Sequence, residues 1–327
     1  MRILGSVALF VATMVVVVAA SRPVAAQSAV AGEELAVPRT TWGDPDLQGI
    51  WNYATNTPLQ RPAEYAGREW LTEEEVAAAN LESQTFATSE RRSELSPLFD
   101  LSLNYNQFWW DLGVSTGRTS LITDPADGRL PPRTPERQAY EASQEGQRLQ
   151  AARWGLGPAN GPEDMEPNDR CIVDRQVPVA AGGENDHVRI LQSPGYVVIL
   201  QEKIHDFRII PLTGEADLPA VVRQWLGVPR GRWEGETLVV ETRNFHLQSD
   251  YLGSGPNRHV VERFTRRGEG AIEYSFTVTD PSVWTRPWSA AAPWRASEGP
   301  LFEYACHAGN YSMTNLLAGS RAVEAGR

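Results

Sequence analysis

Lysine is nearly missing from this chain. Of thirty basic residues only Lys203 is a lysine, the rest being arginine. One side chain at most could therefore act as a lysine nucleophile or form a Schiff base; the arginine bias itself fits a GC-rich coding sequence. No Gly-x-Ser-x-Gly elbow, phosphate-binding loop or Gly-x-Gly-x-x-Gly turn occurs, which excludes the usual nucleotide-binding and α/β-hydrolase signatures. There are five histidines, and no pair has the spacing that sets two imidazoles on one helix face for zinc. A metal site assembled across strands stays open, but neither a metal nor an organic cofactor is expected. Long runs of one charge sign are lacking too. The net charge is −11, so the chain has no overall attraction for nucleic acid or anionic membrane, both of them negative.

One long apolar run is present, at the N-terminus. Arg2 precedes Val7–Ala20, Ser21-Arg22-Pro23 breaks the run, and Val24-Ala25-Ala26 supplies small residues at the −3 and −1 positions of a signal-peptidase site. That order is the secretory pattern, with cleavage expected after Ala26 and no membrane insertion afterwards. A retained anchor is the alternative, although the run falls short of the ~20 apolar residues that a spanning helix needs. Neither cysteine follows the run, so no lipid-modified cysteine is expected there. The implied location is periplasmic or extracellular.

In such a compartment the two cysteines, Cys171 and Cys306, are expected to pair. The bridge would close a long loop, worth about 5 kcal/mol in the chain-entropy picture. The alternative makes Cys306 a nucleophile beside His307; on a strand, however, sequence neighbours face opposite ways. Eleven tryptophans are many for this length. Most belong in a core, but a flat apolar ring with a polar edge also suits sugar or aromatic ligands.

Residues 27–165 read as an extended and helical wrapping segment. Asp46–Trp51 opens the folded part with a Gly-x-Trp, the pattern that begins lipocalin-type barrels. Thr72 followed by three glutamates predicts a capped helix running towards Phe86. Thr134-Pro135 predicts a second, ending near Trp154-Gly155, and Gly157–Pro167 reads as a loop. Residues 166–327 are strand-rich. Tyr196–Leu200, Ile204–Ile210 and Thr237–Thr242 read as strands, and Val260–Arg266 with Ile272–Thr279 as a hairpin. Ile272, Tyr274, Phe276 and Val278 alternate with polar residues, as in a half-buried antiparallel strand. Ser312–Ala322 reads as a closing helix. The fold class that follows is α+β, predominantly antiparallel, a barrel or sandwich of which a calycin-like barrel is one form.

Gly231–Phe245 (GRWEGETLVVETRNF) and Gly299–Tyr311 (GPLFEYACHAGNY), with shorter pieces at Ser193–Pro211 and Trp284–Trp288, resemble stretches of a large family of uncharacterised secreted proteins from soil and aquatic bacteria. The resemblance implies export and a shared β-rich domain; it implies no activity and no catalytic residue.

Every histidine follows Cys171, which places any chemistry in the second half. Asp186-His187 and His205-Asp206 are acid–imidazole neighbours of a kind that chance often produces. On the strand from Ile204, Asp206 and Arg208 share a face about 6.6 Å apart, so the carboxylate could aim the guanidinium at an oxygen, or the two could form a surface ion pair. Glu262 lies on the apolar face with Val260 and Phe264, where a carboxylate is costly unless paired. It is thus a candidate acid or base, or half of a buried ion pair with an arginine. Glu303 and His307 share a face about 13 Å apart, far enough to flank a ligand. The expected catalytic set is His205, Asp206, Arg208, Glu262, Glu303 and His307 converging on one pocket, with Trp284, Trp288 and Tyr304 binding substrate. The expected function is a secreted, cofactor-independent enzyme using acid–base chemistry (elimination, isomerisation or hydrolysis) on a small carbohydrate or aromatic compound. The alternative is a non-catalytic secreted protein that binds a small molecule in a Trp-lined cavity.

Overall fold

In the computed structural model the residues described are 37–85, 109–111, 113–153, 155–174, 177–180, 183–212 and 218–326. The chain divides into two compact units, Met1–Leu35 and Ala36–Arg327, and all described residues belong to the second. The expected signal peptide, Phe86 and Trp154 lie outside them.

Alternation of apolar and polar residues decides the strands. In β9 (Ala271–Thr279) Ile272, Tyr274, Phe276 and Val278 are buried, and in its hairpin partner β8 (His259–Arg267) Val260, Glu262 and Phe264 face the same way. The remaining strands are β1 (Gly49–Asn52), β2 (Ile122–Asp124), β3 (His187–Ser193), β4 (Tyr196–Gln201), β5 (Phe207–Pro211), β6 (Val228–Glu234), β7 (Thr237–Arg243) and β10 (Trp288–Ser297). They form one antiparallel sheet in the order β5-β4-β3-β1-β10-β9-β8-β7-β6, with β2 beside β10. β1 and β2 lie end to end along the same edge of β10. The N-terminal segment therefore supplies the strand that joins the two arms of the sheet, β3–β5 and β10–β6.

The sheet rolls around a core in which Trp51, Trp288, Trp294, Phe264 and Tyr274 are all buried. Trp294 packs against Tyr274 with ring centroids 4.6 Å apart. Gly49 begins β1 at φ 141°, a conformation open chiefly to glycine. Trp51 follows it inward, donates its indole N–H to the Leu47 carbonyl at 2.9 Å, and is covered by the Arg266 guanidinium.

The expected barrel is corrected by this topology. β5 and β6, the two ends of the order, come against each other through side chains, with Ile210 and Leu212 over Gly231. Among the described residues no ladder joins them, and the sheet stays open, in a sandwich-like arrangement. Both edge strands carry a proline, Pro211 and Pro229, which removes a ladder N–H from each.

Helix α1 (Glu73–Thr85) starts as expected. Thr72 Oγ1 accepts the Glu75 N–H, and the Glu75 carboxylate accepts the Thr72 N–H at 2.8 Å, a reciprocal cap. The expected second helix is two, α2 (Pro135–Ala142) and α3 (Gln144–Arg153), broken at an extended Ser143. Gly146 allows the close turn, since a Cβ there would sit 2.2 Å from the Tyr140 carbonyl oxygen. α4 (Ser312–Glu324) closes the chain. Among the described residues no helix is long and apolar enough to cross a membrane.

Candidate ligand-binding site

A converging group of polar side chains gathers where β1, β3 and β4 meet at one end, beneath a strap at residues 300–305. β1 pairs β3 so that Asn52 lies opposite His187. Asn52 Oδ1 accepts the Ala54 N–H at 2.8 Å, which turns its NH2 towards His187 Nε2 at 3.0 Å. Nε2 must then accept, and the ring proton of the neutral imidazole sits on Nδ1. Nδ1 lies 3.3 Å from Glu202 Oε2 and 3.7 Å from Asp111 Oδ2.

Both carboxylates are held from behind. Glu202, directly after β4, donates its backbone N–H to the His187 carbonyl, and its Oε1 accepts the Phe302 N–H at 2.9 Å. Asp111 donates its N–H to the Gly183 carbonyl, and its Oδ2 accepts the Asp186 N–H at 2.6 Å. The Glu202 carboxylate raises the pKa of His187 above the ordinary histidine range against the opposing effect of burial, and Asp111 adds to the rise. Burial disfavours ionised Glu202, but the His187 and Phe302 N–H groups outweigh it and hold its pKa below the usual range.

The strap is fixed at its far end by a Cys171–Cys306 disulfide, with Cα atoms 5.7 Å apart, so the expected pairing stands. Between strap and sheet opens a cavity of ≈ 970 Å³. Its walls include Trp109, Phe302 and Tyr304, and its floor is the Asp111–His187–Glu202 group. Glu184 also faces it, paired with Lys203, whose Nζ lies 4.8 Å from the Tyr304 ring centre. The backbone around the floor is turned by left-handed residues, Asn185 at φ 51°, Ile204 at φ 56° and His205 at φ 48°, of the strained kind that clusters at functional sites.

Asp111, His187 and Glu202 bring one ligand atom each within 4.8 Å of one another, a three-donor set of the kind that holds divalent cations. Asn52 works against that use. A neutral histidine bound to metal through Nδ1 carries its proton on Nε2 and donates it to an acceptor, whereas here Nε2 faces an NH2 group.

The residues expected to share one pocket are spread out. Arg208 and Glu262 meet inside the rolled sheet, Nη2 to Oε1 at 3.1 Å, and Tyr274 donates its hydroxyl to Glu262 at 2.8 Å. This is the buried ion pair that the sequence left open. Burial opposes the charge on Arg208, and Glu262 more than restores it, raising the guanidinium pKa. Asp206 and Arg208 have different partners. The expected strand from Ile204 begins only at Phe207, because Ile204 and His205 are left-handed, and Arg208 points inward between exposed Phe207 and Ile209. Asp206 instead accepts the Asp174 N–H at 3.4 Å, and burial, with the Asp174 charge, pushes its pKa up to about 7. His205 and His307 are exposed and lie outside the cavity lining. Glu303 and Tyr304 do line the cavity. Trp284 and Trp288 are core residues, 3% and 0% exposed, with rings 6.3 Å apart.

Asp111 and Glu202 were not found from sequence, and His187 only as half of a chance-level pair with Asp186. Asp186 in fact spends its carboxylate on the Gly183 N–H. Comparison of the chain with protein-family models, with curated proteins and with solved structures finds no match to any of them.

Proposed function

We propose that this is an exported small-molecule-binding protein whose site is the cavity between Trp109, the β3–β4 end and the 300–305 strap. The observation that carries the reading is the combination of a ≈ 970 Å³ opening, exposed aromatic walls and a converging polar floor, the usual make-up of a ligand site. Trp109 is 65% and Phe302 69% exposed; large aromatic side chains left in water beside a cavity stand to gain area when it fills. Catalysis is supported less well. Acid–base work needs a proton donor or a lone pair aimed at substrate, and both nitrogens of His187 are engaged, one by Asn52 and the other by the carboxylates. The disulfide and the N-terminal charged–apolar–small pattern support export to an oxidising compartment, as does the resemblance of the GRWEGETLVVETRNF stretch to secreted bacterial proteins.

The test is a calorimetric and thermal-shift screen of small aromatic and carbohydrate compounds on the exported protein. Binding that weakens at least tenfold in Trp109→Ala and Phe302→Ala is expected, and turnover of the bound compound is not. Binding unaffected by both variants would place the site elsewhere. Mass spectrometry of the same preparation should find the chain beginning at or near Gln27; an intact Met1 in a membrane fraction would remove the export reading.

A further inference from the structure

We infer that the ligand of this cavity is an organic cation, a compound with a protonated amine or quaternary ammonium next to an apolar or aromatic body. The inference rests on the binding reading above and goes on to the charge of the site. Four carboxylates border the cavity: Asp111, Glu184, Glu202 and Glu303. Lys203 neutralises Glu184. Among the described residues no arginine or lysine lies within ion-pair distance of the other three. Among the described residues His187 is the one other basic group at the floor; the carboxylates favour its protonation while the Asn52 NH2 at 3.0 Å from Nε2 opposes it, and even as a cation it offsets one carboxylate of the three. The floor therefore gathers more negative charge than the described residues balance.

Carboxylates taken from water without a counter-ion are unfavourable, and Glu202 is nearly sealed, its side chain 4% exposed. A positive group entering between Asp111 and Glu202 would restore the balance and give both a charge-assisted hydrogen bond. The walls have matching chemistry, since the faces of Trp109, Phe302 and Tyr304 attract cations and cover apolar surface together. Tyr304 already has the Lys203 ammonium near its ring. A bare metal ion has no use for aromatic walls, and Asn52 leaves Nε2 without the acceptor that a metal-bound imidazole needs. An anion would meet three carboxylates.

Three probes sharing one ring test this by isothermal titration on the full exported protein: phenethylamine, 2-phenylethanol and 3-phenylpropionate. Phenethylamine should bind at least tenfold more tightly than the alcohol, with no binding of the carboxylate. Glu202→Gln keeps the acceptor for the Phe302 N–H, and Glu303→Gln changes only an exposed side chain; both should lower amine affinity and leave alcohol affinity unchanged. Equal affinities for amine and alcohol would overturn the cation inference and leave the binding reading intact. Absence of binding by all three probes would bring down both. Tight Zn²⁺ or Mn²⁺ binding that is lost in Asp111→Asn, without amine binding, would replace the organic cation by a metal.

Discussion

Two groups of charged side chains lie within the same rolled sheet and are built on opposite plans. Inside the core, Arg208 meets Glu262, and the Tyr274 hydroxyl donates to the same carboxylate while accepting the Val179 N–H. One cation faces one anion, and each of these groups has its partner within the fold. At the open end, Asp111 and Glu202 face one imidazole whose far nitrogen is already taken. The first group is closed on itself and has nothing left to offer a ligand. The second has an excess of one charge and a cavity in front of it. Titratable residues on an apolar face are thus poor evidence of a site by themselves. What separates structure from function here is whether the partners balance.

The sharpest way to break the comparison is to unbalance the closed group. Arg208→Met leaves the Glu262 carboxylate buried without its cation, and a loss of about 3–5 kcal/mol is expected in chemical denaturation. The double variant Arg208→Met/Glu262→Leu should recover a good part of it, because two apolar side chains of similar volume need no solvation. Glu202→Gln at the open end should change stability far less and ligand binding far more. Comparable stability losses at the two places would mean that the cavity floor is structural as well.

The disulfide ranks next. Cys171→Ser should cost about 2–5 kcal/mol, since the bridge closes a separation of 135 residues. It should also weaken ligand binding, because it frees the strap that carries Phe302 and Tyr304. Non-reducing peptide mapping should recover Cys171 and Cys306 joined. A variant that unfolds earlier yet binds normally would show that the strap is held by Glu202 and the Phe302 N–H alone.

The two groups also differ in how far they can be read from sequence. Glu262 was legible because β8 and β9 alternate strictly, which sets its face and so its need for a partner. Its partner was legible only as an arginine: Arg208 reads equally well as the partner of Asp206, and the left-handed turn at Ile204 and His205, which delays the strand to Phe207, leaves no mark in composition. β3 and β10 escaped notice for similar reasons. β10 is rich in alanine and contains Pro293, which sits between the stretch paired with β2 and the stretch paired with β1. The cavity floor was invisible, because its members stand at 111, 187 and 202, and only the insertion of β1 beside β3 and the docking of the strap bring them together. A barrel or sandwich was expected from the succession of short strands, and the prolines on both edges were the available sign that the sheet does not close. Local periodicity carries the strands, then, while balance of charge across the fold is a property of topology.

The smallest effect expected concerns Asp206, which belongs to neither group. Its carboxyl lies beside Asp174, and burial lifts its pKa to about 7 in the folded protein, against about 3.9 in an unfolded chain. The folded state therefore holds this proton more tightly than the unfolded state. Its contribution to stability is fully present below about pH 4 and is lost as pH rises through 7. The residue keeps some contact with water, so the loss should be about 1–2 kcal/mol, a shift of a few degrees in Tm. Asp206→Asn cannot ionise. It should melt at the wild-type temperature near pH 4, melt a few degrees higher at pH 8, and flatten the difference between the two. Ligand affinity should be unchanged in that variant, since Asp206 does not line the cavity. If Asp206→Asn instead weakens amine binding at pH 8, the charge at Asp206 reaches the cavity floor through the Ile204–His205 turn, and the open group is larger than the three residues that define it here.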